Sequence, residues 1–183
     1  MHDKFFSAVG GLRQYTIPLR GLKEGRHFFE FVANDSFFEQ YDSSEVKKGL
    51  VKVGVELIKH STFLELHFEI NGRVTVICDR CLEPFVIMIT HQAMLYIRFG
   101  EETLEQSDEL LILADSENEI HLDQLIYEYI HLALPIQRIH PEIDGMSGCN
   151  PEMMEKLNAL DADDQEDATE DPRWEKLKGL IKK

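Results

Sequence analysis

Between residues 51 and 70 two successive runs place an apolar side chain at every second position. Val51, Val53, Val55 and Leu57 alternate with Lys52, Gly54 and Glu56. Past His60-Ser61, Leu64, Leu66, Phe68 and Ile70 alternate with Glu65, His67 and Glu69. A period of two sends neighbouring side chains to opposite faces of an extended strand. Each run therefore reads as a strand with one buried face, the pattern of an antiparallel sheet rather than of a helix or a buried parallel strand. That periodicity restricts the fold more than any other feature of the chain.

The second run meets Asn71-Gly72, a strong short-range signal for a two-residue hairpin turn. Such a turn sets Ile70 opposite Arg73 and carries Cys78 to the face of Glu65, His67 and Glu69. A three-residue loop sets Ile70 opposite Val74 and places Cys78 with Leu66 and Phe68. One slip of register reverses every side chain. Turn chemistry favours the two-residue form.

Upstream, Tyr15–Leu19 and His27–Val32 read as strands, and Asn34 or Asp35 caps a short helical piece holding Phe37, Phe38 and Tyr41. Downstream, Phe85 to Phe99 reads as a strand or strand pair, and Leu110–Leu113 as a short buried strand. The period then changes. Leu122, Leu125, Ile126, Tyr129, Ile130 and Ala133 fall at helical spacing, and Pro135 ends that helix. Pro151 opens another helix with Met153, Met154 and Leu157. The expected class is α+β. An antiparallel sheet, drawn as a partly closed barrel, comes from the N-terminal half, and one or two packed helices come from the C-terminal half. The expected organisation is a single domain over 1–159, a flexible acidic linker over 160–170, and an amphipathic helix over 171–183. Asp171-Pro172 starts that last helix, and Trp174, Leu177, Leu180 and Ile181 form its apolar stripe, which either folds back on its own domain or docks a partner through Trp174, Leu177 and Ile181.

Charge is distributed unevenly. Through Gly100 there are 12 basic and 12 acidic residues, whereas from Glu101 onward there are 22 acids and 7 bases, which supplies the whole net charge of −15. Such a surface repels a phosphate backbone, because nucleic-acid affinity rests mostly on Lys and Arg displacing counterions. A basic protein fits better, and direct RNA binding is not favoured. No apolar run approaches the ~20 residues that span a bilayer, and the opening residues lack the apolar core of a secretory signal. A cytoplasmic location is expected, with no membrane partner and no preferred oligomeric state.

Of the three cysteines, Cys78 and Cys81 form a C-x-x-C pair and Cys149 lies far along the chain. Two thiolates at that spacing are the usual half of a structural zinc site. Cys149 is a third ligand, and His140, nine residues before it, is a fourth, with water as the other candidate. Two other readings stay open. One is a thiol-based redox enzyme or sensor using Cys78 and Cys81, although Pro84 disfavours the helix N-terminus that activates such thiols. The other is inert buried cysteine. The histidines form no catalytic constellation, and neither a phosphate-binding loop nor a nucleophile elbow is present. No enzyme is expected.

Cys78-Asp79-Arg80-Cys81-Leu82-Glu83-Pro84-Phe85 resembles the signature of the YceD family, C-x-R-C-L-x-P at the end of a strand. The likeness continues in Tyr129–Ile136, in a third cysteine after His140, and in Asp171-Pro172-Arg173-Trp174-Glu175-Lys176-Leu177. Pro18-Leu19-Arg20-Gly21-Leu22-Lys23-Glu24-Gly25 is similar to a branch with a slightly longer N-terminal sheet. The resemblance implies a role in accumulation of large-subunit ribosomal RNA, hence in ribosome biogenesis, without a defined catalytic activity. A basic ribosomal or rRNA-processing protein is then the expected partner.

Overall fold

The structure is a computed structural model that describes residues 15–143 and 146–166. The chain forms two compact units, Met1–Ile77 with Pro84–Arg138, and Cys78–Glu83 with Ile139–Lys183.

The first unit is built on a six-stranded sheet. Its members are β2 (Gly25–Ala33), β3 (Lys48–Lys59), β4 (Phe63–Ile77), β5 (Pro84–Gly100), β6 (Leu104–Ser107) and β7 (Leu110–Ala114), in the order β2-β3-β4-β5-β7-β6. Strands β2 to β5 form an antiparallel meander, and β7 pairs with β5 in parallel. A separate two-stranded ribbon joins β1 (Thr16–Pro18) to β8 (Glu119–His121). The sheet is open, which corrects the partly closed barrel. Its ends are β2, nine residues long, and β6, four exposed residues, and the two do not pair. Closure is also unnecessary, because other elements cover the apolar face.

That face carries the alternation seen in the sequence. Val51, Val53, Val55 and Leu57 are buried on β3, as are Leu64, Leu66, Phe68 and Ile70 on β4. Helix α2 (Asp123–Leu132) packs against them, its Tyr129 ring edge-on to Phe68 at 5.1 Å and near His91 at 6.0 Å. Ile126 and Ile130 on the same stripe are fully buried, and Leu125 and Ala133 are packed against the core. The short helix α1 (Asp35–Phe38) begins at Asn34, whose side chain accepts from the Phe37 N–H. Among the described residues no helix is long and apolar enough to cross a membrane.

Asn71-Gly72 is not a turn. Both residues lie inside β4, where Asn71 pairs with Lys52 on β3 and with Thr90 on β5. The hairpin bends instead at residues 60–62, where the His60 N–H donates to the Phe63 carbonyl. Gly72 serves close approach, since a Cβ there would lie 2.5 Å from the Leu50 carbonyl oxygen and from the Val51 Cα. The uninterrupted strand keeps one parity, and the even positions from Leu64 to Val76 point inward apart from Gly72. Cys78 continues that parity and is buried, contrary to the favoured two-residue turn.

Candidate metal centre

The second unit is assembled from three short pieces. The first is the turn Cys78–Glu83, between the end of β4 and the start of β5. It is closed by the Cys78 N–H donating to the Glu83 carbonyl and the Leu82 N–H donating to the Cys78 carbonyl, each at 2.9 Å. Leu82 sits at φ 62, a left-handed conformation that an L side chain adopts only at a cost of roughly 1–2 kcal/mol. This bend turns the backbone so that amides converge on the first sulfur.

The second piece is a small hairpin of β9 (Glu142–Ile143) and β10 (Met146–Ser147), with Ser147 paired to Glu142. Antiparallel pairing brings its two flanks together, His140 before β9 and Cys149 after β10. Gly148 makes that approach available, because a Cβ there would meet the Pro141 carbonyl oxygen at 2.7 Å and the His140 Cβ at 3.2 Å. The Cys149 N–H donates to the Ser147 hydroxyl at 3.3 Å.

The third piece is α3 (Pro151–Glu166), with Pro151 at its first position. Asn150 joins helix to turn, since its Oδ1 accepts from the Glu152 N–H at 2.9 Å while its Nδ2 donates to Glu83 Oε1 at 2.6 Å. The helix continues through residues 160–166, the first part of the stretch expected as linker. The rest of that stretch and the 171–183 helix with Trp174, Leu177 and Ile181 lie outside the described residues.

These pieces bring Cys78, Cys81, His140 and Cys149 together, the same four residues that the sequence nominated. One ligand atom from each lies within 4.8 Å of all the others. The Cys78 and Cys149 sulfurs are 3.8 Å apart, and the Cys81 sulfur is 3.4 Å from His140 Nδ1. A tetrahedral ion with bonds of about 2.3 Å to sulfur and about 2.0 Å to nitrogen sets sulfurs about 3.8 Å apart, and sulfur and nitrogen about 3.5 Å apart. Both separations match that geometry. They exceed by far the ~2.05 Å of a disulfide, and all three cysteines are free.

Electrostatics point the same way. Burial pushes the Cys78 thiol up, but backbone hydrogen bonds from Cys81, Arg80 and His140, with the His140 side chain, bring it down to about 6. Amides aimed at a sulfur are the groups that stabilise a metal-bound thiolate. At Cys149 the Ser147 hydroxyl lowers the thiol, yet burial and the neighbouring Cys78 and Cys81 sulfurs outweigh it and raise the value. Three crowded thiols resist simultaneous ionisation, and a divalent cation removes that repulsion. The cluster could hold a metal ion.

Sequence reasoning named the four residues that cluster here but missed the residues around them, Leu82, Glu83, Ser147, Gly148 and Asn150. Only Asn150-Pro151 carried a local signal, as a cap followed by proline at the first helical position.

Fold and cluster together define an α+β protein that carries an open sheet and a Cys3His group. The family model for large ribosomal RNA subunit accumulation protein YceD matches residues 66–181, a span that includes all four cluster residues, and the chain belongs to that family. No curated protein and no solved structure matches the chain.

Proposed function

We propose that the protein is a non-enzymatic factor that supports accumulation of the large ribosomal RNA subunit, and that Cys78, Cys81, His140 and Cys149 hold one structural Zn²⁺. The family membership supports the role. The observation that carries the metal assignment is the convergence of three sulfurs and an imidazole nitrogen within 4.8 Å of one another, with the Cys78–Cys149 and Cys81–His140 separations matching tetrahedral coordination. Zinc rather than a harder cation follows from the donors, since thiolate and imidazole suit Zn²⁺ whereas Mg²⁺ and Ca²⁺ take oxygen. Four protein ligands leave no open position, which is the mark of a structural rather than a catalytic ion.

The acidic C-terminal half then recruits a basic ribosomal or rRNA-processing protein, with Trp174, Leu177 and Ile181 as a second anchor. Opposite charge steers that encounter and weakens with salt. The thiol-redox alternative draws on the acidified Cys78 thiol. Burial counts against it, because Cys78, Cys81 and Cys149 are 0%, 2% and 5% exposed, and reactive cysteines need access.

The test is genetic and biochemical. Loss of the protein should lower large-subunit relative to small-subunit ribosomal RNA, and the intact chain should restore the ratio while Cys149→Ser does not. In pull-downs, Trp174→Ala should weaken capture of large-subunit proteins and leave the thermal melt unchanged. An unaltered RNA ratio would remove the functional reading, and capture indifferent to both Trp174→Ala and salt would remove the acidic-partner reading.

A further inference from the structure

On the face of the sheet turned away from α2, side chains sort by charge along the strands. The strand register sets out rows across this face: Lys48, Thr75 and Val86; then Leu50, Arg73 and Met88; then Val32, Lys52, Asn71 and Thr90. These three rows carry Lys48, Lys52 and Arg73 and no carboxylate. The next three rows carry Glu30, Glu56, Glu65 and Glu69 against one guanidinium, Arg26, which pairs with Glu56 at 2.9 Å. Arg98 stands one row further on. None of the three cations in the first half forms an ion pair among the described residues. Asp35 lies at the rim of this half, where its carboxylate accepts from the Gly49 N–H.

Large apolar side chains stand out from the same face. Phe28 is 74% exposed, Met88 77%, Val86 59%, Val32 46% and Leu50 45%. Scattered apolar residues are ordinary on a surface, but several on one face of one sheet mark a docking surface. No helix of the described residues in this unit covers that face.

We infer that this face is an interface between two copies of the chain. Turning a second copy by half a turn about an axis that lies in the face and crosses the strands brings the three cations over the partner's acidic rows. The same rotation lays the Leu50 and Met88 row against the partner's Phe28 row. A two-fold interface uses one patch twice, so a face split into opposite charges complements itself. Sheets stack face to face about 10 Å apart, with their strands roughly aligned. Four strands spaced about 4.8 Å apart, along some 34 Å of β3, give a footprint on the order of 650 Å². Side-chain relief brings that toward the ~800 Å² per partner of a standard interface. An RNA strand or an acidic peptide would match only the cationic rows and would be repelled by the adjoining carboxylates.

Sedimentation of the full chain at tens of micromolar and low salt tests this. The expected result is a dimer whose dissociation constant rises at least tenfold in Met88→Asp and in Lys52→Glu, and returns to within about threefold of the original in Lys52→Glu combined with Glu69→Lys. Thermal melts establish that each variant remains folded, and Met88 is exposed enough for the fold to tolerate Asp. A monomer throughout the concentration range would overturn the inference. So would a dimer indifferent to both single substitutions, or one that fails to return in the double variant. A monomer that binds a single-stranded oligonucleotide with a log–log salt slope near −2, as three displaced counterions at about 0.7 each dictate, would overturn it and assign the cationic rows to RNA.

Discussion

In the sheet unit, side chains from Tyr15 to Ile130 are buried across two helices and two sheets, and every member of the apolar core belongs to it. In the other unit, the residues buried among those described are Cys78, Cys81 and Cys149. Met153, Met154 and Leu157 on α3 are only half covered. Apolar burial contributes about 1.5–3 kcal/mol for each fully buried large side chain. The sheet unit has many such contributions, whereas the described residues of the cysteine unit have almost none. What lies at the centre of the second unit is the Cys3His cluster, which could hold a metal ion and would then stabilise the unit only on binding it. The comparison teaches that apolar surface area holds the first region, and that on the proposed reading coordination holds the second.

The largest expected single-residue effect lies in the sheet unit. Phe68 is 2% exposed and meets Tyr129 edge-on, so Phe68→Ala should cost about 3–5 kcal/mol, read as a fall in the chemical-denaturation midpoint. Metal affinity should stay within a few-fold of the original. A comparable loss of metal would break the separation of the two regions.

Gly72→Ala should cost less, about 1–3 kcal/mol, because a methyl group at 2.5 Å from backbone atoms of Leu50 and Val51 forces β3 and β4 apart locally. Denaturation curves with an unchanged slope would show it. An unaffected midpoint would mean that β3 and β4 yield at this crossing without cost.

Leu82→Gly should act in the opposite direction and only on the cysteine unit. Relieving a left-handed L residue recovers about 1–2 kcal/mol, and the extra unfolded freedom of glycine takes back roughly 0.5–1 kcal/mol. The expected outcome is a few-fold tighter metal, measured by chelator competition, with an unchanged sheet melt. Weaker metal would show that the Leu82 side chain contributes something that its 66% exposure does not reveal.

The same division decides what could be read before the structure. Alternation at Val51–Leu57 and Leu64–Ile70 reports burial directly, so the core face of β3 and β4 was legible. Asn71-Gly72 misled because its composition satisfies two demands: a tight turn and a close backbone crossing both select glycine. Only the pairing of Gly72 with Val51 tells them apart, and pairing is a long-range fact. The parallel placement of β7 beside β5 left no local trace either, and the barrel failed because strand composition does not say which edges meet. The cluster residues were legible through type and spacing, since the chain has only three cysteines, two of them form a C-x-x-C pair, and His140 lies nine residues before the third. The Asn150–Glu83 bond that ties α3 to the turn spans 67 positions and could not be anticipated.

The central claim is that coordination, not apolar burial, orders the cysteine unit. Hydrogen exchange on the intact chain, before and after zinc is stripped by a chelator and its content followed by elemental analysis, tests that claim most directly. The account predicts one zinc per chain, loss of amide protection through residues 78–83 and 139–160 when it is removed, and protection across β3, β4 and β5 that persists. A chain that carries no zinc after zinc-supplemented expression, or one whose residues 139–160 stay protected without it, would contradict the account.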